Sequence, residues 1–272
     1  MLTPELRDLP LLGHDAVVVT AGQRLARACR QYLADTYASN HVAAWREPRI
    51  LPIDSWLRDC FAQLTLHSDA PMRDLLSPAQ SAVVWRNACG DVLQERGLPP
   101  AGINALASEC QRAFSLMQSW RLSDSDLQVY PAGDNSLLFE RCLMAFRRQQ
   151  RAHGWITDAE LGGLLLEQAS ALDKLLPQTR WFAGFSQLTP IQQALCDALA
   201  IDHRTSRTPD ASAQSVYQFD STDAELIAAG SWARTCLQRD ADARLAIVVT
   251  NLDQHRERYR SRVLEGLDPQ SL

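Results

Sequence analysis

The run Ala16-Val17-Val18-Val19 restricts the fold more than any other stretch of the chain. Apolar, mostly β-branched residues without alternation suit a strand covered on both faces, as in a parallel sheet. The run continues through Thr20-Ala21-Gly22-Gln23 into a segment where Leu25, Ala28, Cys29, Tyr32 and Leu33 recur at helical spacing. These residues make one apolar stripe, while Arg24, Arg27 and Gln31 share another face. A strand that feeds a helix through a small-residue turn is where α/β proteins hold phosphates, because the turn and the helix N-terminus present free N–H groups. A Walker A loop, however, needs a glycine-rich cradle ending in Gly-Lys-Ser/Thr. This turn has one glycine and no lysine, and the single lysine of the chain, Lys174, lies far from it. An ATPase site of the usual kind is therefore excluded.

Farther along, Arg49-Ile50-Leu51 is a short extended piece, and Asp54 or Ser55 is placed to cap a helix carrying Leu57, Cys60, Phe61 and Leu64. From there to about Lys174 the signals are helical throughout, with no strand. Ser77-Pro78 starts one helix, Ile103 to Trp120 marks another, Leu138, Cys142 and Phe146 a third, and the capping box at Thr157–Glu160 opens a leucine-rich one. Strand signals return at Arg180–Phe185, followed by a Thr189-Pro190 helix start and a polar loop from Asp202 to Gln214. Val216-Tyr217-Gln218-Phe219 and Leu245-Ala246-Ile247-Val248-Val249 read as further strands, with a second capping box at Thr222–Glu225 between them. Strands alternating with helices at both ends, around a helical middle, predict a mostly parallel α/β core (1–54 and 177–272) with a large all-helical insertion (55–176).

At 272 residues the chain has ample material for such a core. Its seven cysteines are odd in number, widely spaced and never paired as Cys-x-x-Cys, which fits reduced buried thiols; the six histidines show no ligand spacing, so neither metal nor cofactor is expected. The N-terminus lacks the basic region of a signal peptide, and no apolar run is long enough to span a bilayer, which makes the cytoplasm the expected compartment. A net charge of −5 argues against tight autonomous binding of nucleic acid, since phosphate neutralisation supplies most of that affinity.

Several stretches together resemble the N-terminal, helicase-like region of bacterial DNA-repair proteins related to the AddB and RecB helicase–nuclease subunits. They are Val17–Arg27, Pro48–Leu57, His153–Leu161, Phe182–Pro190 and Arg244–Leu252. The resemblance implies a P-loop, superfamily 1 helicase-like core with a helical insertion, and a PD-(D/E)XK nuclease domain farther along a longer polypeptide. It also marks departures. Too few residues precede Ala16 to hold a Walker A loop, and Ala183-Gly184-Phe185 has no carboxylate where Walker B would place its magnesium-binding acid.

On this resemblance Thr20, Gln23, Arg24 and Arg27 match the segment that touches a single-strand backbone in helicases, and Ser55 and Trp56 match the next such segment, where an aromatic can stack on a base. The plainer readings are a solvated helix face for the arginines and a core position for Trp56. Two function classes follow. One is a non-catalytic domain of a repair helicase–nuclease, binding single-stranded DNA weakly and without sequence preference or serving as a scaffold for the rest of a longer polypeptide or a partner subunit. The other is a nucleotide- or small-ligand-binding α/β enzyme that uses the Thr20–Gln23 turn as an anion site.

Overall fold

The computed structural model describes residues 8–67, 73–128, 133–204 and 215–268, and the chain divides into two units, Met1–Arg207 and Thr208–Leu272. In chain order the first unit runs β1 (Ala16–Thr20), α1 (Gln23–Ser39), β2 (Arg49–Pro52), α2 (Ile53–His67), β3 (Asp74–Leu75), α3 (Pro78–Glu95), α4 (Ile103–Ser119) and α5 (Asp134–His153). It continues with β4 (Trp155–Ile156), α6 (Leu161–Glu167), α7 (Ala169–Asp173), β5 (Thr179–Ala183), α8 (Pro190–Ala198) and β6 (Asp202–Arg204).

The valine-rich run is one of the two inner strands of a four-stranded, wholly parallel sheet ordered β2-β1-β5-β6. All five residues of β1 are buried, because each face of the strand has its own cover. Val17 and Val19 join Trp56, Phe61, Leu161, Leu165, Phe182 and Leu195 on one side. Val18 joins Ala26, Cys29 and Leu33 of α1, with Ile50 and Trp181, on the other. A period of two along the strand thus puts apolar side chains into two cores, which is why the sequence shows no alternation. The α/β class with a parallel sheet is as expected.

A third core lies among α3, α4 and α5. Trp85 stacks on Phe146 with centroids 3.9 Å apart, and Phe114 meets both rings at 5.6 Å. α3 starts as its residues dictate: the Ser77 hydroxyl accepts from the Gln80 N–H, the Gln80 side chain accepts from the Ser77 N–H, and Pro78 takes the first helical position.

Several expectations need correction. The helical middle does contain a strand pair, since β3 and β4 run parallel with Asp74 opposite Trp155 and Leu75 opposite Ile156. Gly154, at φ +67°, ends α5 and turns the chain into this two-residue strand, which is too short to leave a periodic signal. In the packing, α2, α6 and α7 contribute to the core that covers the sheet, and α3–α5 share a hydrophobic cluster of their own. α2 begins at Ile53, directly after β2, so Asp54 and Ser55 sit inside its first turn instead of capping it. The segment from Asp202, read as a polar loop, opens with β6; an edge strand paired on one side only tolerates such polar residues. Most of that loop, 205–214, and the break expected at 130–133 fall largely outside the described residues.

The second unit holds α9 (Thr222–Arg239) and α10 (Leu252–Leu267). They cross at Gly230 and Gly266, where a Cβ would meet Val263 O at 2.1 Å and Ile227 O at 2.0 Å respectively. The cap of α9 is Ser221, whose hydroxyl accepts from the Ala224 N–H, so Thr222 is already helical. The strands expected at 215–220 and 244–250 pair with nothing among the described residues. An apolar extended run becomes a strand only where a neighbour supplies its hydrogen-bond partners, and Val216 and Val248 are each 94% exposed. Among the described residues no helix is long and apolar enough to cross a membrane.

Candidate nucleic-acid interface

The carboxyl ends of the parallel strands form the edge on which α/β proteins usually bind ligands. Chain order reverses here between β1 and β5: from β1 the chain moves to β2 on one side and returns later to β5 on the other. At this switch point the Ala21 N–H donates to the Ala183 carbonyl at 3.1 Å, tying the two turns together. Gly184 follows at φ +75°, beneath Leu25 of α1.

Thr20 is fully buried, and its hydroxyl donates to the Gly22 carbonyl at 3.1 Å. That bond shapes the turn and leaves the side chain no access to a ligand. Gly22 then offers no side chain to cap α1, no acid stands in the helix's first turn, and the space beyond Gly22 is open. The first-turn N–H groups thus have neither an intrahelical partner nor a side-chain cap. Gln23, Arg24 and Arg27 are exposed, and neither arginine makes an ion pair with any described residue. Arg30, one turn on, is committed instead to the Ile50 carbonyl.

The next segment does not join this surface. Trp56 is 1% exposed and meets Phe182 edge-to-face, centroids 5.6 Å apart at 89°. It is a core residue that cannot stack on a base, and its indole N–H has no partner among the described residues. Ser55 is half-buried. Of the six sequence candidates, then, Gln23, Arg24 and Arg27 share one open face, Ser55 is half-buried in the first turn of α2, and Thr20 and Trp56 are structural.

At the end of β5 the residues Ala183, Gly184 and Phe185 bring no carboxylate to the edge. Beyond it, the Arg204 guanidinium lies over the Trp181 ring, 4.4 Å from its centroid, and pairs with Asp202 at 2.7 Å.

Two groupings escaped the sequence. Arg73 lines a cleft of about 400 Å³ with Arg147, Arg151, Gln150 and Glu160. Arg147 and Arg151 are neighbours on α5, but only folding brings Arg73 to them, and Arg148 does not line the cleft. Its positive charge is partly offset, since Arg147 pairs with Asp124 at 2.8 Å and Gln150 donates to Glu160 at 2.7 Å. The arginines of α10 are likewise engaged: Arg258 and Arg262 both pair with Asp223, and Arg256 with Asp253. The second grouping is three thiols, Cys89, Cys110 and Cys142, brought together by α3, α4 and α5. Each lies on an apolar stripe, but their separations along the chain match no ligand motif. Compared with models of known protein families and with curated proteins, the chain matches none.

Proposed function

We propose that this chain is a non-catalytic, helicase-like domain of a DNA-repair helicase–nuclease, which binds single-stranded DNA or serves as an assembly scaffold. Its partners are then the rest of a longer polypeptide or a helicase or nuclease subunit. The observation that carries this reading is the exposed trio Gln23, Arg24 and Arg27, its arginines unpaired among the described residues, beside the uncapped start of α1 at the switch point of a parallel sheet. Backbone phosphates suit such a surface: the arginines supply charge, the first-turn N–H groups supply donors, and nothing there reads a base. The P-loop, superfamily 1 type of core belongs to the same proposal. Without a phosphate-binding lysine or an acid after β5, neither ATP nor DNA hydrolysis is expected.

The test is anisotropy of labelled single-stranded DNA over a range of salt. Affinity is expected on the order of 10⁻⁶–10⁻⁴ M at physiological salt, falling steeply as salt rises and indifferent to sequence. R24A/R27A should weaken binding and flatten the log–log salt slope by about 1.4, at roughly 0.7 for each phosphate no longer neutralised. R256A/R260A on α10 is the control and should matter less. Wild-type binding by R24A/R27A overturns the reading. A second reading, a small-anion or nucleotide site, is favoured by the open space beyond Gly22. Stabilisation by ATP and magnesium, without binding of DNA, would select it.

A further inference from the structure

Cys89, Cys110 and Cys142 come from three different helices, and their sulfurs all lie within 4.8 Å of one another. The residues are 0%, 2% and 0% exposed. In each helix the cysteine stands four residues, about one turn, from an aromatic: Trp85, Phe114 and Phe146. Since the aromatics meet one another and the sulfurs meet one another, the two triads form adjacent layers of one dry bundle. No histidine or carboxylate joins the sulfurs among the described residues, so the donor set is three thiols alone.

That set excludes most ions on charge and coordination. Zinc takes four ligands in a closed site, and three thiolates around a divalent ion leave a net negative charge. Burying such a charge unpaired among Val84, Ala88, Val92 and Leu143 is costly. A trivalent, three-coordinate thiophilic ion needs no fourth ligand and carries no net charge once three thiolates hold it. We propose that Cys89, Cys110 and Cys142 form a binding site for trivalent arsenic or its congener antimony, held as a neutral tris-thiolate.

With arsenous acid the step balances without a base or a redox partner: As(OH)3 + 3 RSH → As(SR)3 + 3 H2O. Three As–O bonds break, three As–S bonds form, and each thiol proton leaves in water. Arsenic stays trivalent, and no charge enters the core. Metal–sulfur bonds of about 2.3 Å place sulfurs roughly 3.3–3.8 Å apart, so sulfurs that lie within 4.8 Å of one another have to close by about 1.5 Å at most. The three sulfurs are close enough to influence one another: Cys110 and Cys89 draw the Cys142 thiol below its ordinary value, while Cys110 is pushed up. Binding would crosslink α3, α4 and α5 and stiffen the helical cluster.

The test titrates the reduced, intact chain with sodium arsenite under non-denaturing conditions. The expected results are one adduct per chain, with the mass of one arsenic less three hydrogens, and a rise of several degrees in the melting midpoint. C89A, C110A and C142A should each lose the three-hydrogen signature and the thermal shift; C110V, which keeps volume, replaces C110A if the alanine variant does not fold. C60A, a buried cysteine outside the trio, should behave as wild type. No adduct, an adduct that survives in the triple variant, or tighter binding of zinc than of arsenite at these thiols would overturn the proposal.

Discussion

Gly184 leaves the space that Leu25 fills: a Cβ at Gly184 would stand 2.1 Å from Leu25 Cδ2, and Gly184 itself has φ +75°. The turn after β5 and the first turn of α1 are thereby pressed together at the switch point. G184A should destabilise the chain by about 1–2 kcal/mol for the left-handed backbone, rising to roughly 3 if Leu25 cannot rotate away. Urea unfolding measures it. A change under about 0.5 kcal/mol, the range of an ordinary surface substitution, would mean that the two turns do not touch.

Trp56 combines a packed ring with an unpartnered buried N–H. W56F keeps the edge-to-face contact with Phe182 and removes an orphan donor whose burial costs about 1–3 kcal/mol. That gain offsets the lost volume, so stability should stay within about 1 kcal/mol of wild type, whereas W56A should lose about 3–5 kcal/mol. DNA binding by W56F should be unchanged. A folded W56F that no longer binds would show that the ring reaches the ligand after all.

Arg180 is 5% exposed at the start of β5, where it pairs with Asp173 at 2.5 Å and donates to the carbonyls of Pro177, Leu199 and Asp173. One guanidinium thus ties the strand to the turn before it and to the end of α8. R180M strands those carbonyls and should cost about 3 kcal/mol, and R180K nearly as much, because an ammonium cannot span the same fork. Chemical denaturation gives the loss. Full stability in R180K would leave only charge, not geometry, as the role of this residue.

Burial pushes the Cys60 and Cys196 thiols up to about 12 and Cys29 up to about 11, each from an ordinary value near 9. A folded-state value above the unfolded one means that the unfolded chain releases its protons first. Stability from these groups is therefore complete below about pH 9 and is lost as pH rises through 11 to 12. Denaturation midpoints measured from about pH 7 to 11 should hold steady and then fall, and the fall should be shallower in C60V. A midpoint that stays level to the top of that range would contradict the burial of these thiols.

What the sequence determined by itself lies at short range. The unbroken Val17-Val18-Val19 run announces a strand buried on both faces, the stripe through Leu25, Cys29 and Leu33 announces α1, and Ser77-Pro78 starts α3, because each signal rests on neighbours within one or two turns. The same reading shows that the turn after β1 lacks a lysine, and it puts Arg24 and Arg27 off the apolar stripe. Tertiary structure alone decided the rest. Val248 and Val216 have strand-like neighbours in sequence but no strand beside them among the described residues, while polar Asp202–Arg204 becomes β6 because β5 offers a free edge. Trp56 turns inward because Phe182 stands opposite it, and Arg180 is buried because carbonyls from three other segments converge on it. The three thiols meet only after α3, α4 and α5 pack. Pairing, burial and convergence depend on which distant segments fold alongside, and the periodicity of a single segment carries no record of its neighbours.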